Sequence, residues 1–124
     1  MSNTTEVLHN IAHTAIDAIE NSAMTLRDAI ITLKQRVPMS EAQAQTFLDS
    51  LPPKIQKQII CAIYAGRDHI NSTVLTDEIS VADINHIPKE NYAHIISDKS
   101  LHIITYLNTL EVCATNSKFN LNNL

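Results

Sequence analysis

The chain has 124 residues, of which 44% are hydrophobic and 18% charged, and its formal net charge is −4 at pH 7. This apolar fraction excludes an intrinsically disordered chain, and the length allows one domain with one core. The negative charge disfavours a nucleic-acid partner, and no apolar run approaches the roughly 18 residues that a membrane span needs. A single glycine and 4% aromatic residues favour a helical fold over a β fold with many turns.

The first segment predicts one long helix, from a cap at Asn3 to Val37, which neither Gly nor Pro interrupts. Its apolar or small residues alternate in steps of four and three, the spacing of a coiled-coil seam. These residues are Leu8, Ala12, Ala15, Ile19, Ser22, Leu26, Ala29 and Leu33. Because the seam keeps its phase across Asn21, we favour one helix of about 33 residues and about 50 Å. The alternative is a kink near Asn21, after which Thr25 and Asp28 begin a second helix.

A helix of that length implies a partner, because a domain of this size has a diameter of only about 35 Å. Part of the apolar seam needs cover from another polypeptide, since exposed Leu and Ile side chains would cost several kcal/mol. A symmetric homodimer is the commonest solution. We expect its self-association surface to consist of five residues: Leu8, Ile11, Ala15, Ile19 and Leu26.

Prolines and capping residues divide the following sequence into shorter helices. Pro38 ends the first helix, and Ser40 with Gln43 forms a capping box for the second. The pair Pro52-Pro53 begins a third helix, which is apolar on nearly all sides and therefore predicts a buried central helix. Gly66 fits the left-handed position just beyond the end of that helix.

Three further helices are expected in the second half of the chain. A short helix opens at Thr76 and runs to about Asn85, and another begins at Pro88. Ser97 or Asp98 caps the last one.

The predicted architecture is an all-α single domain over residues 1–115, with five or six helices. One of them is the long, coiled-coil-like N-terminal helix. Residues 116–124 are polar with isolated Phe and Leu, which predicts a flexible C-terminal tail.

Two groups of residues have the composition of a chemical site. His9, His13 and Asp17 lie four residues apart on one helix face, a spacing that suits zinc or nickel, although we favour the interpretation of a solvated polar face that happens to carry histidines. Cys61 and His69 form the only nucleophile-and-base pair close in sequence. Because Cys61 lies within an apolar helix, where a thiol packs and does not react, we expect no catalytic residue, no cofactor and no bound metal.

The turn that follows the third helix predicts a contact surface. In the structural interpretation, Arg67 caps the helix carbonyls and pairs with Asp68. In the functional interpretation, Arg67, Asp68 and His69 anchor a protein partner.

A spaced set of residues runs from about position 40 to 112 and comprises Phe47-Leu48-x-x-Leu51, Gln58, Ala62-x-x-x-Gly66-Arg67, Tyr92, Leu101 and Tyr106-Leu107-x-x-Leu110. It resembles a small all-helical bacterial family of unknown function, whose members have a helix ending in Gly-Arg-Gly or Gly-Arg-Asp and a leucine-rich C-terminal helix. This chain has Tyr64 in the region where the family often has Trp. The resemblance implies no reaction.

In its size, helical pattern and Asn-, Ile- and His-rich composition, the chain also resembles the small helical regulators that intracellular bacterial pathogens direct against their own effector enzymes. Effectors that deamidate or transglutaminate ubiquitin are among the enzymes inhibited in this way. We therefore expect a non-enzymatic interaction module that binds a larger enzyme and occludes its active-site cleft.

The alternative function is that of a small metal-binding helical protein that uses His9, His13 and Asp17. A cytoplasmic location is the simplest, since the first residues lack the pattern of a secretory signal. Secretion into a host cell by an effector secretion system is the alternative location. Neither a membrane nor a nucleic acid is expected as a partner.

Overall fold

The structure, a computed structural model, describes residues 24–124. Five α-helices follow one another within this range: α1 (Leu26–Arg36), α2 (Glu41–Asp49), α3 (Pro53–Asp68), α4 (Tyr92–Asp98) and α5 (Ile103–Asn116). Three short 3-10 helices cover Val81–Ile84, Lys89–Asn91 and Leu121–Asn123. Residues 24–124 contain no strand and form a single all-α domain, which confirms the predicted class. None of the helices in this range is long and apolar enough to cross a lipid bilayer.

Helix α3 lies at the centre of the domain, as predicted. It packs along α5 and also contacts α1, α4 and the 3-10 helix at 81–84, while α2 packs against α4. Buried residues occur on every turn of α3: Ile55, Gln56, Gln58, Ile59, Ile60, Cys61, Ala62, Ile63, Ala65 and Gly66. A helix that is apolar on nearly all sides has to be enclosed by other elements, and these neighbours enclose it.

The predicted starts of α2 and α3 are confirmed. The Ser40 hydroxyl accepts a hydrogen bond from the Gln43 amide at 3.1 Å, and the Gln43 side chain accepts one from the Ser40 amide at 2.9 Å. Pro53 occupies the first position of α3, where its missing N–H costs no hydrogen bond.

The first described helix begins at Leu26, so the predicted continuous helix from Asn3 to Val37 is wrong. The backbone of Thr25 is extended, with φ −111° and ψ 166°. Its hydroxyl accepts a hydrogen bond from the Asp28 amide at 3.3 Å, and the Asp28 carboxylate accepts one from the Thr25 amide at 3.1 Å. This capping box starts a new helix, as the alternative interpretation proposed for these two residues.

The length of the first described helix therefore does not require a homodimer. Helix α1 has 11 residues and a length of about 16 Å, well within the domain. Leu26 is fully buried in the core of its own protomer, so its side chain is not available at a dimer interface. The other predicted self-association residues lie outside the described residues: Leu8, Ile11, Ala15 and Ile19. The homodimer stays a prediction.

Gly66 lies inside α3, and its prediction as a left-handed residue beyond the helix is wrong. The helix continues through Arg67 and Asp68. A Cβ atom on Gly66 would lie 2.1 Å from the backbone oxygen of Tyr106 in α5 and 2.6 Å from its carbonyl carbon. The position therefore requires glycine because the backbones of α3 and α5 approach each other there.

Two of the predicted helix starts in the second half are wrong. Residues 77–80 are not helical, and the helix that follows is the 3-10 helix at 81–84, because the capping box of Ser80 closes there. Asp98 ends α4 and does not cap α5, which starts after His102 without a side-chain cap. The start at Pro88 is confirmed, since the 3-10 helix at 89–91 leads directly into α4.

The C-terminal segment 116–124 is anchored to the core by a few of its side chains, which corrects the prediction of a flexible tail. Leu121 is fully buried and Leu124 nearly so. The side-chain oxygen of Asn122 accepts a hydrogen bond from the Arg27 amide at 3.2 Å, which joins this segment to α1. Burial of two leucines gives the segment an apolar anchor that its polar composition concealed.

Replacing Gly66 with Ala should destabilise the protein. The added methyl group would collide with the backbone oxygen of Tyr106 and push α3 away from α5. We expect this to lower the free energy of unfolding by about 1–3 kcal/mol or more. That cost exceeds the gain of about 1 kcal/mol that Ala brings in helix propensity. Urea denaturation measures the change in the free energy of unfolding.

The matched control for this variant is Thr105→Ala, at an exposed position of α5. It should change the free energy of unfolding by less than about 0.5 kcal/mol. A Gly66→Ala protein as stable as the wild type would contradict the close approach of the two helices.

Candidate functional site

A cleft of about 540 Å³ lies between the C-terminal half of α3 and the segment 77–87. We call it the acidic cleft. It is lined by Cys61, Tyr64, Ala65, Arg67, Asp68, His69, Asp77, Glu78, Ile79, Asp83, Ile84, His86 and Ile87. One wall belongs to the most buried helix of the domain, so that wall is held rigidly.

The other wall is shaped by a short local motif. The Ser80 hydroxyl accepts a hydrogen bond from the Ala82 amide at 3.2 Å, and the Asp83 carboxylate accepts one from the Ser80 amide at 3.1 Å. Ile84 is buried and anchors this wall in the core. Lys57 of α3 donates a hydrogen bond to the side chain of Asn85, which ties the two walls together.

Negative charge dominates the rim of the acidic cleft. Four exposed carboxylates line it, against one guanidinium, that of Arg67. They belong to Asp68, Asp77, Glu78 and Asp83. Apolar side chains lie among them, including Tyr64, Ile79 and Ile84. Such a surface suits a ligand that carries a cation on an apolar stem, as Lys and Arg side chains do.

Two of the three predicted partner-contact residues lie at this rim. Arg67 and Asp68 are both exposed, and the guanidinium lies 3.3 Å from the Asp68 carboxylate. The guanidinium carbon of Arg67 also lies 4.7 Å from the centre of the Tyr64 ring, a cation–π contact. The predicted pairing of Arg67 with Asp68 is therefore confirmed, whereas the predicted capping of the helix carbonyls is not observed, since the guanidinium donates only to Asp68 among the described residues. Both side chains remain accessible to a partner.

His69, the third predicted contact residue, is only 3% exposed and serves the fold. Its Nε2 accepts a hydrogen bond from the Thr76 amide at 3.0 Å, so the ring proton is assigned to Nδ1. Nδ1 then donates to the backbone oxygen of Ala65 at 2.8 Å. The imidazole joins the end of α3 to the loop that carries the acidic residues, and it is not a surface contact.

Cys61 lies at the base of the acidic cleft with its thiol buried. Its Sγ donates to the backbone oxygen of Ser80 at 3.3 Å. Burial, reinforced by the negative charge of Asp83, raises the pKa of Cys61 from 9.0 to about 12. At neutral pH this thiol is protonated and a poor nucleophile.

The structure does not assemble the predicted pair of Cys61 and His69. Both ring nitrogens of His69 are occupied by hydrogen bonds to Ala65 and Thr76, so neither accepts a proton from the thiol. The other cysteine, Cys113, is fully buried, and burial also raises its pKa. The described thiols therefore have a packing role.

The predicted metal-binding residues His9, His13 and Asp17 lie outside the described residues. Within residues 24–124, no three side chains of His, Cys, Asp or Glu are close enough together to hold a metal ion. The four carboxylates of the acidic cleft are thus spread around the rim and do not converge on one point.

Most residues of the rim were not predicted from the sequence. Acidic residues are typical of a helix start, and the sequence pattern assigns that role to Asp77, Glu78 and Asp83. It does not indicate that all three line a cleft together with α3. The available signal was their density, since three acids fall within seven residues of the loop region that follows a buried helix.

Comparisons of the chain with known protein families, with curated proteins and with solved structures found no match. The two resemblances described above therefore stay predictions.

Replacing His69 with Ala should lower the free energy of unfolding by about 1–3 kcal/mol, because the Thr76 amide loses its acceptor and the Ala65 carbonyl loses one of its two donors, the other being the amide of residue 69. Chemical denaturation measures the loss. The exposed His86 provides the control, and His86→Ala should leave the free energy of unfolding nearly unchanged. Equal stabilities for the two variants would show that the buried imidazole has no structural role.

Cys61 should react slowly with iodoacetamide in the folded protein. At pH 8, a thiol with a pKa of about 12 forms roughly a thousandfold less thiolate than one with the ordinary value of 9.0. Timed alkylation, followed by mass spectrometry of the peptide that contains Cys61, measures the rate. The same reaction in concentrated urea is the control, and similar rates in both conditions would contradict the buried, protonated thiol.

Proposed function

We propose that the chain is a non-enzymatic protein-interaction module whose acidic cleft receives a basic side chain of a larger protein. The observation that carries this proposal is the combination of four carboxylates at the rim with apolar side chains beneath them. A Lys or Arg of the partner would place its charge among the carboxylates and its stem against the apolar surface.

The chemistry of the cleft favours recognition over reaction. Its thiol is protonated at neutral pH, and its buried imidazole is committed to two structural hydrogen bonds. Its exposed groups are carboxylates, one guanidinium and one imidazole, that of His86. Groups of this kind steer an oppositely charged partner and fix its orientation.

Arg67 and Asp68 would act as oriented contacts at the edge of the interface. The Tyr64 ring and the Asp68 carboxylate hold the guanidinium in place before a partner arrives. A side chain that is already ordered loses little conformational entropy on binding, which favours its use as an anchor.

We further propose that the partner is a larger enzyme and that binding occludes its active-site cleft. An inhibitor of this type needs shape complementarity and a few strong contacts, and no catalytic group of its own. A ubiquitin-modifying effector is the partner class that the sequence resemblance implies.

The double variant Asp77→Asn, Glu78→Gln tests this function. It removes two rim charges while leaving the shape of the cleft, so binding of a basic partner should weaken by about tenfold or more. Affinity purification from the native cell with mass spectrometry identifies the partner. Calorimetry with the purified pair at two salt concentrations then measures the loss.

The control is Glu90→Gln, Asp98→Asn, which changes the net charge equally at exposed positions that do not line the acidic cleft. It should bind like the wild type. Equal affinities for wild type, cleft variant and control, or a salt-independent affinity, would reject the proposal.

A further inference from the structure

The ring of Tyr64, which lines the acidic cleft, has two cations beside it. The guanidinium carbon of Arg67 lies 4.7 Å from the centre of the ring, and the Nζ of Lys99 lies 5.2 Å from the same centre. The two cations are therefore no more than about 10 Å apart, roughly one Debye length at 0.1 M salt. Tyr64 and Arg67 belong to the lining of the cleft, whereas Lys99 does not. We call these three residues the basic edge.

The cations of the basic edge keep donors for a partner. Lys99 is half-buried, and the ion pairs within residues 24–124 are formed by other residues, Lys34, Arg67 and His94. Arg67 directs its Nε and its Nη2 to the same oxygen of Asp68, at 3.4 and 3.3 Å. The ammonium group of Lys99 and the Nη1 of Arg67 thus have no carboxylate partner in the described part of the chain.

We infer that the basic edge binds a carboxylate of the same partner segment whose Lys or Arg enters the acidic cleft, an inference that rests on the proposed function. The segment would then carry one basic and one acidic side chain within a few residues of each other. Side chains that face the same way are about 7 Å apart in an extended segment and about 5–6 Å apart on a helix. Both separations suit a basic edge that starts at Tyr64, in the lining of the cleft itself.

The two charged surfaces together select a mixed-charge segment. A free phosphate, or a segment with acidic residues only, would be repelled by the four carboxylates that line the cleft. A segment with several basic residues would bring one of them against Lys99 and Arg67, and like charges that meet at an interface weaken it. The acidic cleft therefore provides attraction for a cation, and the basic edge discriminates among the segments that carry one.

NMR titration of the full chain with short peptides tests the inference. Each peptide is acetylated and amidated and contains one Lys, with either Glu or Gln two or three residues away, in both orders along the peptide. At low salt, the wild type should bind the best Lys/Glu peptide about two- to fivefold more tightly than its Lys/Gln counterpart, as expected for an exposed ion pair. In Lys99→Glu, the preference should reverse, because the new carboxylate repels the Glu of the peptide.

Two further variants provide the controls. Lys99→Gln should bind both peptides alike, and it tests the same charge if Lys99→Glu does not fold, which the NMR spectrum of each variant reports. Lys54→Glu makes the same charge change at an exposed position near the start of α3, about 15 Å along the helix from Tyr64. It should keep the preference of the wild type for the Lys/Glu peptide.

The outcomes separate this inference from the proposed function. Both peptides could shift the resonances of the acidic cleft and bind the wild type with equal affinity, which would overturn the inference and leave the proposed function intact. A preference for the Lys/Glu peptide that survives in Lys99→Gln and Lys99→Glu would overturn it as well. If no peptide shifts the cleft resonances at millimolar concentration, the cleft does not bind a cation, and both the proposed function and the inference are rejected.

Discussion

The fold depends on the contact between the backbones of α3 and α5 at Gly66 and Tyr106. No side chain separates the helices there, so α3 and α5 pack closely against each other. Helix α3 has buried residues on every turn and lies at the centre of the domain. The same contact fixes the C-terminal end of α3. Arg67, Asp68 and His69 follow directly, so the position of the acidic cleft depends on this packing.

His69 connects the buried end of α3 to the exposed loop that follows it. Its two hydrogen bonds join the last turn of α3 to Thr76, the residue before the acidic pair Asp77 and Glu78. A histidine that the sequence presents as a base or a contact therefore acts by positioning its neighbours. The groups it positions include the exposed carboxylates of Asp77 and Glu78 at the rim of the acidic cleft.

The sequence by itself determined the features that depend on neighbours within about four residues: the capping box at Ser40, the proline start of α3 and the apolar character of that helix. It also indicated Arg67 and Asp68 as accessible. The tertiary structure alone decided that Gly66 serves helix contact, that Leu121 anchors the last residues, and that Asp77, Glu78 and Asp83 face α3. The physical reason is the distance along the chain over which each interaction acts. Caps and periodicity involve residues that are close in sequence, whereas the roles of Gly66, Leu121 and the acidic residues arise from packing between segments far apart in the chain.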